Sequence, residues 1–361
     1  MKTIEGLQKG MGIGGWLTNY KRFNIIPKDR RMIITVGDLE HFESYITEAD
    51  VAYIAELGMD HIRLGFDQIV LEESPYVYRR KILNLLHDFV GWCRKYHLRP
   101  VLNLHKAIGN YVDIPDECGL MQNKELQKRF IALWEMLEDE FAEQNDVIFE
   151  LLNEVVSCTA EEWNGVAERT VAAIRAKSTE RLIIVGGIEG NTPPGLPRLK
   201  VYDDENIIYT FHCYIPYEFT HQQGVLQAPY LFYNRKMPYP CDADRYWDFQ
   251  RVVYGRSAYE GYDKIDIEFL RDYLAPAKEF TEKHPDKILW CGEFGTIRHA
   301  KLEWRENWMR DMITILQEWD IPYCVWNYLS TPNDGNRFSL VDDDNRKILS
   351  EELHRIILGK V

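Results

Sequence analysis

Eight short apolar runs, each about one strand long, recur along the chain at 10–17, 61–66, 99–105, 147–152, 181–186, 206–212, 287–292 and 321–326. They lack the alternation of a half-exposed sheet, as strands buried on both faces do. Helix-patterned stretches separate most of them: 47–57, 76–97, 124–143, 160–177, 266–283 and 301–319, with a last one at 349–358. Thr47, followed by Glu48 and Asp50, marks the start of the first helix, and Gly58 its stop. This rhythm predicts an α/β protein, a (β/α)8 TIM barrel. No Ser/Gly-rich linker and no internal repeat interrupts it, so 1–361 reads as one catalytic domain. Two stretches break the rhythm. Residues 18–44 read as irregular. Residues 215–263 carry many aromatics, prolines and glycines without an apolar period, and are expected to form an inserted lid or subdomain after strand 6.

In such barrels chemistry gathers where the strands end. The run Val147-Ile148-Phe149-Glu150-Leu151-Leu152 delivers Asn153-Glu154, and Lys287-Ile288-Leu289-Trp290-Cys291-Gly292 delivers Glu293. A carboxylate at the end of a buried strand is costly unless a site uses it. Either Glu alone could belong to a structural ion pair. Two strand-end carboxylates together are the minimal equipment for acid/base and nucleophilic work on a glycosidic bond. The other strand ends supply Arg63, His105, His212, Tyr214 and Trp326. Arg63 is a cation that can hold one carboxylate ionised, and Tyr214 can donate to the same group. His212 can orient it or the sugar. Asn153 can bond a ring hydroxyl, and Trp326 offers an apolar face to a pyranose. The early Gly10-Met11-Gly12-Ile13-Gly14-Gly15 is followed by no helix, and reads as a strand of close backbone approach, not a nucleotide loop.

Leu151-Leu152-Asn153-Glu154, Cys291-Gly292-Glu293-Phe294-Gly295, Phe211-His212-Cys213-Tyr214 and Arg63 resemble the signatures of glycoside hydrolase family 5, the cellulase family A of clan A. The likeness runs from the Gly-rich first strand to Trp326 and is greatest to the clostridial endoglucanase C branch. It implies a retaining β-glycosidase without cofactor or metal, with Glu154 as acid/base and Glu293 as nucleophile. It implies a substrate among β-glucans or β-gluco-oligosaccharides, cleaved in the manner of an endo-β-1,4-glucanase; exo-action like that of a β-glucosidase or β-1,3-glucosidase, on short oligosaccharides or glycosides, stays open. Two positions depart from the family pattern. Lys106 stands where a second His is usual, and Gly12 where an Asn is usual. Both put the preferred sugar or linkage in question, and Lys106 is expected to add a flexible cation to the cleft.

Rival chemistries need other equipment. A Schiff-base aldolase would use Lys106, and a metal enzyme His105, Glu154, His212 and Glu293, although no local ligand spacing supports the latter. A sugar-binding protein without catalysis would not need both carboxylates. The formal net charge of -14, without a basic run, argues against nucleic acid and an anionic membrane surface. The 10 Trp, 21 Tyr and 15 Phe exceed what a core alone calls for, and suit a neutral ring-shaped ligand. No signal peptide or membrane span is visible, and seven cysteines without close pairing suit reduced thiols, so a cytoplasmic location is expected. Oligomeric state leaves no mark in the sequence.

Overall fold

The computed structural model describes residues 3–18, 30, 33–112, 114–226, 228–255, 259–330 and 335–360. The eight apolar runs form strands β1 Lys9–Leu17, β2 His61–Asp67, β3 Arg99–Lys106, β4 Ile148–Glu150, β5 Ile183–Gly186, β6 Ile207–Cys213, β7 Ile288–Phe294 and β8 Tyr323–Val325. Each pairs in parallel with its sequence neighbours, and β1 pairs with β8, so the sheet closes as a barrel. The strand pleat divides the apolar residues into two cores. Val101, Ile148, Ile184, Ile208, Ile288 and Trp290 pack together inside the barrel. Their neighbours Leu102, Phe149, Ile183, Val185, Ile207, Tyr209 and Leu289 join the larger cluster between barrel and helices. With both faces covered, the backbone polar groups are spent on the ladder, and only the strand ends are free for chemistry.

The principal helices are α1 Val36–Ser44, α2 Glu48–Glu56, α3 Arg80–Lys95, α4 Lys124–Glu140, α5 Ala160–Arg175, α6 Asp244–Tyr254, α7 Ile267–Lys283, α8 Leu302–Glu318 and α9 Glu351–Ile357. Among the described residues no helix is long and apolar enough to cross a membrane. α1 lies within the stretch expected to be irregular. Its start is fixed by reciprocal capping: the Thr35 amide donates to Asp38 Oδ2 at 2.8 Å, and the Asp38 amide to Thr35 Oγ1 at 3.2 Å. Residues 19–29 and 31–32 of that stretch fall outside the described part. α3 starts later than its apolar pattern suggests. The chain before it folds into a small hairpin, Glu72–Ser74 with Val77–Tyr78, turning at Pro75 and Tyr76. Between β5 and β6 the described chain makes one distorted helical turn, Ile188–Asn191, and then the 3₁₀ segment Pro193–Arg198, whose prolines cannot continue an α-helix.

The stretch after β6 is partly helical. It contains the turn Tyr217–Thr220, the short helix Ala228–Tyr233 and α6, and its end is tied by the ribbon Cys241–Asp242 with Lys264–Ile265. It has aromatic packing of its own, with Tyr230 stacked on Phe249 at 5.5 Å and Tyr246 edge-on to Tyr259 at 5.7 Å. It also bonds to the loops beyond β7 and β8. The Ile297 amide donates to Thr220 O at 2.9 Å, and the Val225 amide to Asn336 Oδ1 at 2.9 Å. Those contacts put it beside the C-terminal mouth of the barrel.

Candidate active site

Arg63 lies midway along β2, not at the strand end where it was expected; it is fully buried and reaches the mouth of the barrel through its long side chain. Its Nε donates to Glu150 Oε2 at 2.6 Å and its Nη2 to Glu150 Oε1 at 2.8 Å. Nη2 also donates to Asn153 Oδ1 at 2.8 Å, and Nη1 donates to Glu293 Oε1. One guanidinium thus holds two carboxylates and an amide, from β4, its exit loop and β7. Burial works against its charge, but Glu150 and Glu293 more than offset this and hold the guanidinium firmly cationic.

Glu293 reaches Arg63 through an irregularity. The β6–β7 register slips between Cys291 and Glu293, setting Glu293 opposite His212. Such a bulge re-aims the side chain that follows it. Gly292 fits there because a Cβ would come within 2.6 Å of Thr210 Oγ1. The Tyr214 hydroxyl donates to Glu293 Oε2 at 2.9 Å, so both carboxylate oxygens have a donor. Burial and the negative charge of Glu293 push the Tyr214 phenol well up, which keeps it a donor. His212 sets Nδ1 3.1 Å from Glu154 Oε1 and 3.7 Å from Glu293 Oε2. Burial pulls the His212 pKa down to about 4, so the ring is neutral at ordinary pH. One oxygen of Glu154 and one of Glu293 lie within 4.8 Å of each other. Their exposure differs: the Glu154 side chain is 18% exposed and that of Glu293 5%.

Trp326, just past β8, floors the opening. His105 stacks on it with centroids 5.3 Å apart at 6°, and Arg63 Cζ lies 6.0 Å from the ring centroid. His105 Nδ1 is 2.9 Å from Asn103 Oδ1. Burial, then the charge of Arg63, pulls the His105 pKa well down. Gly12 gives the indole room: a Cβ there would come within 2.7 Å of Trp326 Cε3. The departure from Asn at this position therefore seats the tryptophan. Lys106 corrects an expectation. It is buried, 4% exposed, and sits in register with Asp67 at the end of β3. It is no flexible cation in the cleft, and an aldolase would need an amine that a carbonyl compound can reach. Glu154, His212 and Glu293 could in principle converge on a metal ion. However, a dication there would face the Arg63 guanidinium, which already donates to Glu293. The arrangement suits carboxylate chemistry.

The model of the family described as Cellulase (glycosyl hydrolase family 5) matches residues 30–331. The chain belongs to glycosyl hydrolase family 5. As a family 5 member it is a glycoside hydrolase. Endoglucanase C of Acetivibrio thermocellus is 36% identical over 362 aligned residues, 98% of each chain. Cellodextrinase A of Ruminococcus flavefaciens is 28% identical over 86% of this chain and 82% of its own. Among solved structures, an endoglucanase from the hyperthermophilic Thermotoga maritima superposes with a TM-score of 0.75 at 23% identity, covering 98% of this chain and 97% of that one. That last likeness speaks for the barrel alone.

All the residues expected at the site, Arg63, His105, Asn153, Glu154, His212, Tyr214, Glu293 and Trp326, come to this one mouth of the family 5 barrel. Two that act behind them were missed. Glu150 reads in sequence as part of the apolar run, yet it binds Arg63 with both oxygens. The signal was present: a charged residue inside a strand buried on both faces needs a buried partner. Asn103, which orients His105, gave the same kind of signal two positions earlier on β3.

Proposed function

We propose that this protein is a retaining endo-β-1,4-glucanase, with Glu293 as nucleophile and Glu154 as acid/base. The observation that carries the reading is the approach of the two carboxylates to within 4.8 Å. Retaining enzymes hold theirs about 5–5.5 Å apart, whereas inverting ones need about 6.5–9.5 Å to admit water. In the first step a Glu293 oxygen bonds the anomeric carbon as the bond to the glycosidic oxygen breaks. Glu154, in its acid form, gives its proton to that oxygen. In the second step Glu154, now a base, takes a proton from water, which attacks the anomeric carbon and frees Glu293. The greater exposure of Glu154 fits a group that meets a departing sugar and then water. Neutral His212 can donate from Nδ1 to Glu154 whenever that group is ionised. Asn153, with its oxygen turned to Arg63, keeps its nitrogen for a ring hydroxyl.

The substrate class rests on the relatives. Endoglucanase C supports a β-glucan, and Thermotoga maritima Cel5A structures include one in complex with cellobiose. The stretch after β6 supplies a side wall: Tyr217 packs beside Tyr214, Ile297 and Phe338, the small cluster that Trp326 also borders. The test is hydrolysis of barley glucan and carboxymethylcellulose, following viscosity and reducing ends together. Endo-action predicts a steep fall in viscosity before reducing ends accumulate. Monosaccharide release from the outset with little loss of viscosity would establish an exo-acting β-glucosidase instead.

A further inference from the structure

The glycosylation step spends the charge of Glu293, which becomes a neutral ester. Arg63 keeps its own charge throughout and is 0% exposed. A buried guanidinium stripped of its carboxylate is strongly disfavoured. Arg63 is never stripped, because Glu150 grips it from the other side through Nε and Nη2. Glu150 is itself 0% exposed, belongs to the rigid β4, and is too deep to reach a sugar past Arg63.

We infer that Glu150 is a positioning residue that acts through Arg63, holding its charge neutralised so that Glu293 can give up its own to the anomeric carbon. The inference rests on the assignment of Glu293 as nucleophile. With Glu150 in place, Arg63 lends Glu293 a hydrogen bond from an already paired cation. The carboxylate stays aligned without being held too tightly to attack. Without Glu150, the whole charge of Arg63 falls on Glu293. The free enzyme then gains a tight ion pair, and every step toward the ester must break it. Formation of the glycosyl-enzyme slows. Its hydrolysis, which restores the pair, does not. Glu154 gives up its proton in the same step, but its charge appears beside His212, which Arg63 does not grip; the remaining titratable neighbours keep their charge state. Tyr214 stays a neutral donor, His212 and His105 stay neutral rings, and the buried Cys324 thiol is pushed well up.

The test uses the full chain, an activated dinitrophenyl β-cellobioside and a fluorinated cellobiosyl inactivator. In the wild-type enzyme the expected results are a burst of dinitrophenol and a covalent label on Glu293. Failure of the label to appear on Glu293 would overturn the nucleophile assignment, and this inference with it. For Glu150→Gln the expected result is labelling slowed ~10- to 100-fold, the burst lost, and kcat/KM reduced far more than kcat. Glu150→Asp keeps the charge and should keep the burst. Labelling of Glu150→Gln at the wild-type rate, or equal losses in kcat and kcat/KM with the burst intact, would overturn the inference while leaving the nucleophile in place. Should the Gln variant fail to fold, Glu150→Asp decides: a folded Asp variant without a burst contradicts the inference.

Discussion

At the scale of single residues, the site separates two carboxylates by their surroundings. Glu293 is held by Arg63 and Tyr214, and Glu154 lies 3.1 Å from His212 Nδ1. An acid that protonates a leaving group matters only where the leaving group needs a proton. Glu154→Ala should therefore slow hydrolysis of unactivated oligosaccharides by ~10²–10⁴-fold, and that of an activated aryl glycoside far less. Equal losses on both substrates would count against the role. The buried histidines make a separate prediction. Burial pulls His212 to about 4 and His221 to about 3, from an ordinary value of 6.5, and pulls His105 down as well. The unfolded chain therefore binds more protons than the folded one between pH 6.5 and 4. Their contribution to stability is complete above pH 6.5 and is lost as pH falls through that window. Thermal melts should show Tm dropping steadily from pH 6.5 to 4, before most carboxylates titrate. A flat Tm across that range would contradict it.

At the scale of elements, one clamp fixes where β4 and β5 begin. Arg181 is fully buried just before β5. It pairs with buried Glu138 of α4 and donates to the carbonyls of Phe141, Gln144 and Val147. Arg181→Met would strand Glu138 and those carbonyls, and should cost about 3–5 kcal/mol in denaturant unfolding. A loss under about 1 kcal/mol, the usual worth of an exposed pair, would show that the clamp contributes little. The sequence read Arg181 as the first residue of its strand, since a basic residue bordering an apolar run carries no sign of its partners. The strands themselves were legible because both faces are apolar, and long helices such as α7 and α8 because their periodicity is strong. α1 was not, being nine residues with one buried side chain, Phe42, though its Thr35-to-Asp38 capping box was there to read. α6 was hidden for another reason. Its aromatics serve a local core shared with the turns around it, so they follow no barrel-facing stripe.

At the scale of the whole molecule, closing the barrel brings together residues 230 positions apart, Arg63 and Glu293, by fixing the order of eight strand ends. That is why the chemistry was legible before the contacts were: the strand-end position alone marks Glu154, Glu293 and Trp326. What sequence could not show is how the charges are shared. Glu150 and Lys106 lie on the same kind of run, yet one grips Arg63 and the other is buried away from its expected place in the cleft. The central claim is the assignment of nucleophile and acid/base within this pair. Glu293→Gly with added azide and an activated aryl β-glycoside tests it most directly. With the carboxylate gone, azide should take its place at the anomeric carbon, restore turnover and yield the α-glycosyl azide. A β-glycosyl azide would reverse the two roles and contradict the account.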